Sequence, residues 1–186
     1  FANRFKDSKF FIAKAFGLGI LICFPAGYLN TYVLQTFTNN NPVNNALLVG
    51  FFAGGLVEEL LKFFALLFYL PTQKKLKKFD IVIFALFISL GFAVYENFGY
   101  VFNPSGASFE IAFLRAFTAV PMHIFNGIIM GYFFEFYSKT GDNKFLGYTV
   151  LLPIILHGSY NFFVSENLLI AKGIILLQVF LAYRLK

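Results

Sequence analysis

The sequence predicts an all-α, polytopic membrane bundle of about six transmembrane helices with both termini cytoplasmic, forming a single domain over residues 1–186. Composition comes first: the 186 residues are 59% hydrophobic and only 13% charged. A soluble domain carries about 25% charged residues, and the mean hydropathy of +0.72 is too high for a water-solvated surface. Six long apolar stretches follow, each near the ~20 residues that cross the hydrocarbon as a helix. The third observation is where the charges lie. The net charge of +6 gathers at segment ends, a membrane pattern and not a nucleic-acid footprint.

The first stretch, residues 10–37, follows a flank carrying Arg4, Lys6, Lys9 and Lys14. It is long, contains Pro25 and lacks a small-residue cleavage site, so it reads as a span and not a signal peptide. The chain opens on Phe1, which leaves room for a short preceding piece. An Asn-rich outer turn with Pro42 leads to the second span, 46–70. The loop with Lys74, Lys75, Lys77 and Lys78 precedes the third, 79–102. The fourth, 109–137, follows a loop without Lys or Arg and ends before Lys139 and Lys144. The fifth and sixth, 145–164 and 167–184, are the shortest. Basic and non-basic loops alternate throughout, which places the basic ones inside. The competing arrangement, five spans with the last segment on the surface, draws on Lys172. Backbone groups in lipid must be satisfied internally, so continuous apolar runs of this length mean helices, not barrel strands. Pro25, Pro121 and Pro153 lie inside spans and are expected to kink them. The lone Cys23 excludes an intrachain disulfide and a multi-thiolate metal site.

Ionisable residues inside spans cost at least ~2.5–3.5 kcal/mol each, so they default to function. The second span carries Glu58, Glu59 and Lys62, the third Glu96 and Asn97, the fourth His123, and the fifth His157 and Asn161. Glu58 and Lys62 are four apart and share a helix face, as do His157 and Asn161. Gly127, four after His123, would admit a close neighbour. At ~1.5 Å per residue, Glu58, His123 and His157 fall near mid-membrane and Glu96 in the outer half. Blander readings stand beside these: a helix-pairing salt bridge for Glu58/Glu59–Lys62, packing for each His, interhelical bonding for Asn97 and Asn161. Glu110, Glu135 and Glu166 sit near span ends and are expected to be solvated. Arg115 is expected to snorkel outward.

Three carboxylates against Lys62 require protonated acids or a cation. Two His and a Glu as ligands, with another Glu as base, is a zinc-hydrolase set. The expected ligands are Glu96, His123 and His157 around one divalent ion, with zinc favoured and Glu58 or Glu59 as the base. A metal-free scheme in which Glu activates water and His or Asn donors hold the oxyanion stays open. No Ser or Cys has a base beside it. A proton- or cation-coupled transporter built on Glu58, Glu96 and the histidines is the alternative from another class, though no internal repeat supports it. Bis-His haem ligation by His123 and His157 is a third.

In order, Glu58-Glu59-x-x-Lys62, Phe92-Ala93-x-x-Glu96-Asn97, His123 and His157-x-x-x-Asn161 resemble the PrsW-type intramembrane proteases, distant relatives of the CAAX prenyl proteases. The CAAX pattern has an Arg one residue further along and a His where Glu96 stands, so the PrsW pattern fits better. The resemblance covers about residues 54–163. It implies endoproteolysis of a single-span anti-sigma factor near its extracytoplasmic side (a site-1-type cut) in a bacterial plasma membrane. It also implies Glu58 and Glu59 as catalytic acids, Glu96, His123 and His157 completing the site, Asn161 orienting or donating, and Lys62 and Asn97 in support.

Overall fold

The computed structural model describes residues 2–72, 79–102 and 109–184, with side chains from residue 9 onward except those of residues 72, 165 and 166. The helices are α1 (Ala2–Phe37), α2 (Pro42–Leu47), α3 (Glu59–Tyr69), α4 (Asp80–Phe102), α5 (Phe109–Phe117), α6 (Ala119–Thr140), α7 (Asn143–Glu166) and α8 (Leu168–Arg184). A π-helical segment, Leu48–Glu58, joins α2 to α3, and a single 3₁₀ turn follows α3. No strand occurs among the described residues. Three helical stretches are long and apolar enough to cross a membrane: Lys9–Phe37, Asp80–Phe102 and Phe109–Thr140. The basic loop at Lys74–Lys78 and the turn at Asn103–Ser108 lie outside the described residues.

Side-chain chemistry sets the helix ends. The expected Asn-rich turn is partly helix: Asn41 accepts from the backbone N–H groups of Val43 and Asn44, and Pro42 stands at the first helical position. Cap and proline together start the rod four residues before the expected boundary. Pro25 and Pro153 lie inside α1 and α7. Pro121 does more than kink its helix. A proline ring collides with the carbonyl four residues back, here Phe117, and the fourth stretch divides there into α5 and α6, with Thr118 at φ −126° and ψ −67°. Asp142 caps α7 through the Lys144 N–H and pairs with the Lys144 ammonium at 2.8 Å. Those hydrogen bonds hold its carboxyl below the ordinary range.

α4 is central, packing on α1 and α6, while α7 lies against α6, α8 and the π segment. A hydrophobic core fills the half of the bundle where α3, α4 and α6 meet, around Phe63, Leu66, Phe84, Ile88 and Met130. Gly127 fits against α4, where an added Cβ would come within 2.7 Å of the Ala85 carbonyl oxygen. α8 is bound into the bundle by Ala171 and by Gln178, whose amide donates to Asn126 Oδ1 at 2.7 Å. The outer surface is a sheath of exposed aromatic and aliphatic residues such as Phe68, Phe102 and Leu169, the solvent contact expected of lipid.

Candidate active site

The polar residues picked out in the apolar sequence meet at the junction of the π segment, α3, α4, α6 and α7. Glu59, Lys62, His123 and His157 are all essentially without exposure, and Glu58 is 6% exposed. Lys62 is the hub. Its ammonium reaches Glu59 Oε1 and His123 Nδ1, each at 2.8 Å, and sits 4.3 Å from the centre of the Phe92 ring. His157 Nδ1 lies 2.8 Å from the same Glu59 oxygen. Helical spacing puts Glu58 on the Lys62 face. The ammonium turns instead to Glu59, three residues back, because that carboxylate shares the sealed interior with both histidines. Glu58 turns toward α1, where Asn30 Nδ2 donates to its Oε1 at 3.1 Å.

Glu96 belongs to a second ion pair. Its Oε2 is 3.0 Å from His123 Nε2, and its Oε1 is 2.8 Å from the guanidinium of Arg115. Arg115 therefore does not snorkel outward. It reaches in from α5, stacks 3.8 Å from the Tyr100 ring centre, and is only 17% exposed. Sequence inspection missed this because the cue that makes Arg115 snorkel, its place near a span end, also fits an inward reach across a helix break. Asn97 Nδ2 donates to the Ala112 carbonyl at 3.0 Å, tying α4 to α5 away from the histidines. Asn161 packs its amide nitrogen over Gly54, beside His157 Nε2. Glu135, expected to be solvated, is 6% exposed. It accepts from the Phe79 N–H at 3.1 Å and pairs with Lys139 at the far end of the bundle. Glu110 is exposed in the first turn of α5, and the side chain of Glu166 lies outside the described residues.

Charge can now be counted locally. Lys62 answers Glu59, and Arg115 answers Glu96. Among the described residues, Glu58 has no cation of its own, its Oε1 accepts from the Asn30 amide, and its buried Oε2 has no hydrogen-bond partner. That oxygen faces His157 Nε2 at 4.0 Å. One ligand atom from each of Glu58, His123 and His157 falls within 4.8 Å of the other two. An unmatched carboxylate beside two imidazoles, one of them oriented by a carboxylate on its other nitrogen, is a donor set that fits a divalent cation. The haem alternative does not fit. The two imidazole rings touch edge to face, centroids 4.7 Å apart at 89°, which leaves no slot for a macrocycle between them.

Comparison with known proteins decides the class. The PrsW family of intramembrane metalloproteases matches residues 8–184. The chain belongs to that family. It is 34% identical to Protease PrsW of Oceanobacillus iheyensis over 99% of this chain and 86% of the relative. It is 33% identical to Protease PrsW of Clostridioides difficile (83% of this chain, 65% of the relative) and 32% identical to that of Bacillus subtilis (83% and 69%). No solved structure matches the chain. As a PrsW-family member it is an intramembrane peptide hydrolase of a bacterial plasma membrane, acting on membrane protein within the bilayer. That membership sets aside the transporter alternative.

Proposed function

We propose that this PrsW-family protease makes a site-1-type cut, hydrolysing a peptide bond of a single-span membrane protein, such as an anti-sigma factor, near its extracytoplasmic side. The observation that carries the chemistry is the lone carboxylate oxygen of Glu58 facing His157 Nε2. We assign Glu58, His123 and His157 as ligands of one divalent ion, with zinc as the best match to a His₂Glu set. This exchanges Glu96, the ligand expected from sequence, for Glu58. When bound, such an ion supplies Lewis-acid polarisation and a water nucleophile near neutral pH.

The remaining roles belong to the chain's own groups. Glu59 holds the Nδ1 proton of His157 and so fixes which ring nitrogen offers a lone pair. Lys62 pairs with Glu59, and its ammonium must give up the lone pair of His123 Nδ1 for that ring to bind the ion. Glu96, steadied by Arg115, takes a proton from the attacking water and returns it to the leaving amine. Asn161, beside His157, donates to the developing oxyanion. Arg115 is a positioning residue for Glu96.

Metal content and hydrolysis, measured on the same purified variants, separate these roles. Wild-type protein purified without chelator should carry about one zinc per chain. Glu58→Gln should lose both zinc and cleavage, whereas Glu96→Gln should keep zinc and lose cleavage. The reverse pattern would return Glu96 to the ligand set, and full activity in metal-free protein would leave a glutamic protease. Co-expression with tagged single-span anti-sigma factors tests the substrate class. A shortened, membrane-retained fragment should appear with wild type and not with Glu58→Gln.

A further inference from the structure

A cavity of about 290 Å³ opens between α1 and α4, with Glu58 and Glu96 on its wall. Ala26, Gly27 and Asn30 line it from α1, and Tyr95, Gly99 and Tyr100 from α4. Among the described residues, Asn30 is the hydrogen-bond donor to the Glu58 carboxylate. Because a carboxylate oxygen accepts, the amide nitrogen of Asn30 must be the one turned to Glu58. Its carbonyl, Oδ1, is thereby turned away, and that atom is buried with no partner among the described residues. A buried acceptor without a donor costs ~1–3 kcal/mol. The unmet acceptor belongs to a side chain that lines the cavity, beside a carboxylate that is itself unmatched.

We infer that the α1–α4 cavity is the cleft that receives the scissile segment, and that Asn30 Oδ1 accepts a backbone N–H of that segment in extended form. A helical segment keeps its backbone N–H and carbonyl groups bonded to each other, so a peptide bond offered to Glu58 must leave its helix, and unwinding frees backbone N–H groups that need acceptors inside the membrane. Asn30 Oδ1 is such an acceptor. Because the amide nitrogen of the same side chain holds Glu58, docking of the backbone is coupled to the position of the reacting carboxylate. Gly27 and Gly99 keep the cleft open: a Cβ added at either would meet nothing within 4 Å.

This inference rests on the assignment of Glu58 to the reacting site, so its test reads binding and not turnover. The full chain carrying Glu58→Gln, whose amide oxygen still accepts from Asn30, is titrated with a fluorescent pool of mixed-sequence decapeptides in detergent micelles. Saturable binding is expected. Gly99→Leu and Gly27→Leu should weaken it at least tenfold without lowering the melting temperature, since both side chains enter open space. Asn30→Ala should weaken it about tenfold. A pool in which single backbone amides are replaced by esters should lose a similar factor against Asn30, and nothing against Asn30→Ala. Absence of binding, or binding indifferent to both Leu substitutions, overturns the cleft. An ester penalty that persists in Asn30→Ala overturns the role of Oδ1. Should Asn30→Ala fail to fold, the two Leu variants decide. Peptide that binds in this manner and is not cleaved by the wild type would defeat the catalytic reading and leave the cleft standing.

Discussion

Lys62 is buried, and among the described residues its ammonium is held by two groups of the proposed site. Its ammonium neutralises Glu59 and orients His123 at once. Lys62→Met would strand Glu59 as an unpaired buried charge, which typically costs ~3–5 kcal/mol. Replacing both partners costs much less, because no lone charge is left. Thermal unfolding should therefore show Lys62→Met as the less stable protein and Lys62→Met/Glu59→Gln as a partial recovery. Equal melting of the two would remove the pair from the stability account. Asn161→Ala should fold normally and lose roughly 10²-fold or more in kcat, the usual cost of one oxyanion donor. Glu58, Glu59, Glu96 and the two histidines were legible in sequence because ionisable groups in apolar spans are rare enough to stand out. Arg115 and Asn30 were not. Both are polar residues toward span ends, where polarity is ordinary, and only the packing of α5 and α1 against α4 turns them inward.

At the scale of elements, each of the six apolar stretches is helical, though α1 begins eight residues before the expected start and three stretches are long and apolar enough to cross a membrane; hydrophobic length is written directly in sequence. Their interruptions are a different matter. The break between α5 and α6 follows from Pro121 acting on the Phe117 carbonyl, a consequence that could be foreseen as a kink but not as a full division. The π winding of Leu48–Glu58 has no sequence cue we can name. It brings Gly54 under Asn161 and Gly55 against the α7 backbone, and these neighbours predict opposite outcomes. A Cβ at Gly54 meets the amide end of Asn161, which can swing aside. Gly54→Ala should keep its fold and lose at least about tenfold in activity as the oxyanion donor is displaced. A Cβ at Gly55 meets the Ile154 carbonyl oxygen at 2.9 Å, which cannot move without α7. Gly55→Ala should lower stability by ~1–3 kcal/mol. The other end of the bundle carries a further device. Phe79 holds φ at 71°, a costly conformation for a non-glycine residue, and its N–H is fixed by Glu135. Glu135→Ala should destabilise by ~1–3 kcal/mol with zinc content unchanged, as read by denaturation and elemental analysis.

The arrangement of the whole molecule makes a statement about sides. The site groups on α1 and α4, Asn30 and Glu96, stand in the last third of α1 and of α4, whereas Glu135 and Lys139 stand in the last third of α6. Helices joined by short turns run antiparallel, so the end of α6 lies opposite the end of α4. This agrees with Glu135 capping the start of α4 through Phe79. The bundle thus has a reactive end, holding the α1–α4 cavity, and a basic end, holding Lys139 and Lys144. The positive-inside rule predicts that the basic end faces the cytoplasm; the cavity would then face outward, the side of the proposed cut. Reporter fusions test this with no reference to catalysis. Fusions after Lys78 and Lys144 should read cytoplasmic, and fusions after Asn44 and Ser105 external. A fusion after Lys186 should also read cytoplasmic, because α8, 17 residues long and packed on α6 and α7, would return the chain to the basic side. An external reading at Lys186 alone would reduce the spans to five and leave the site untouched. An external reading at Lys78 would invert the molecule and place the cavity, with the cut it makes, on the cytoplasmic face.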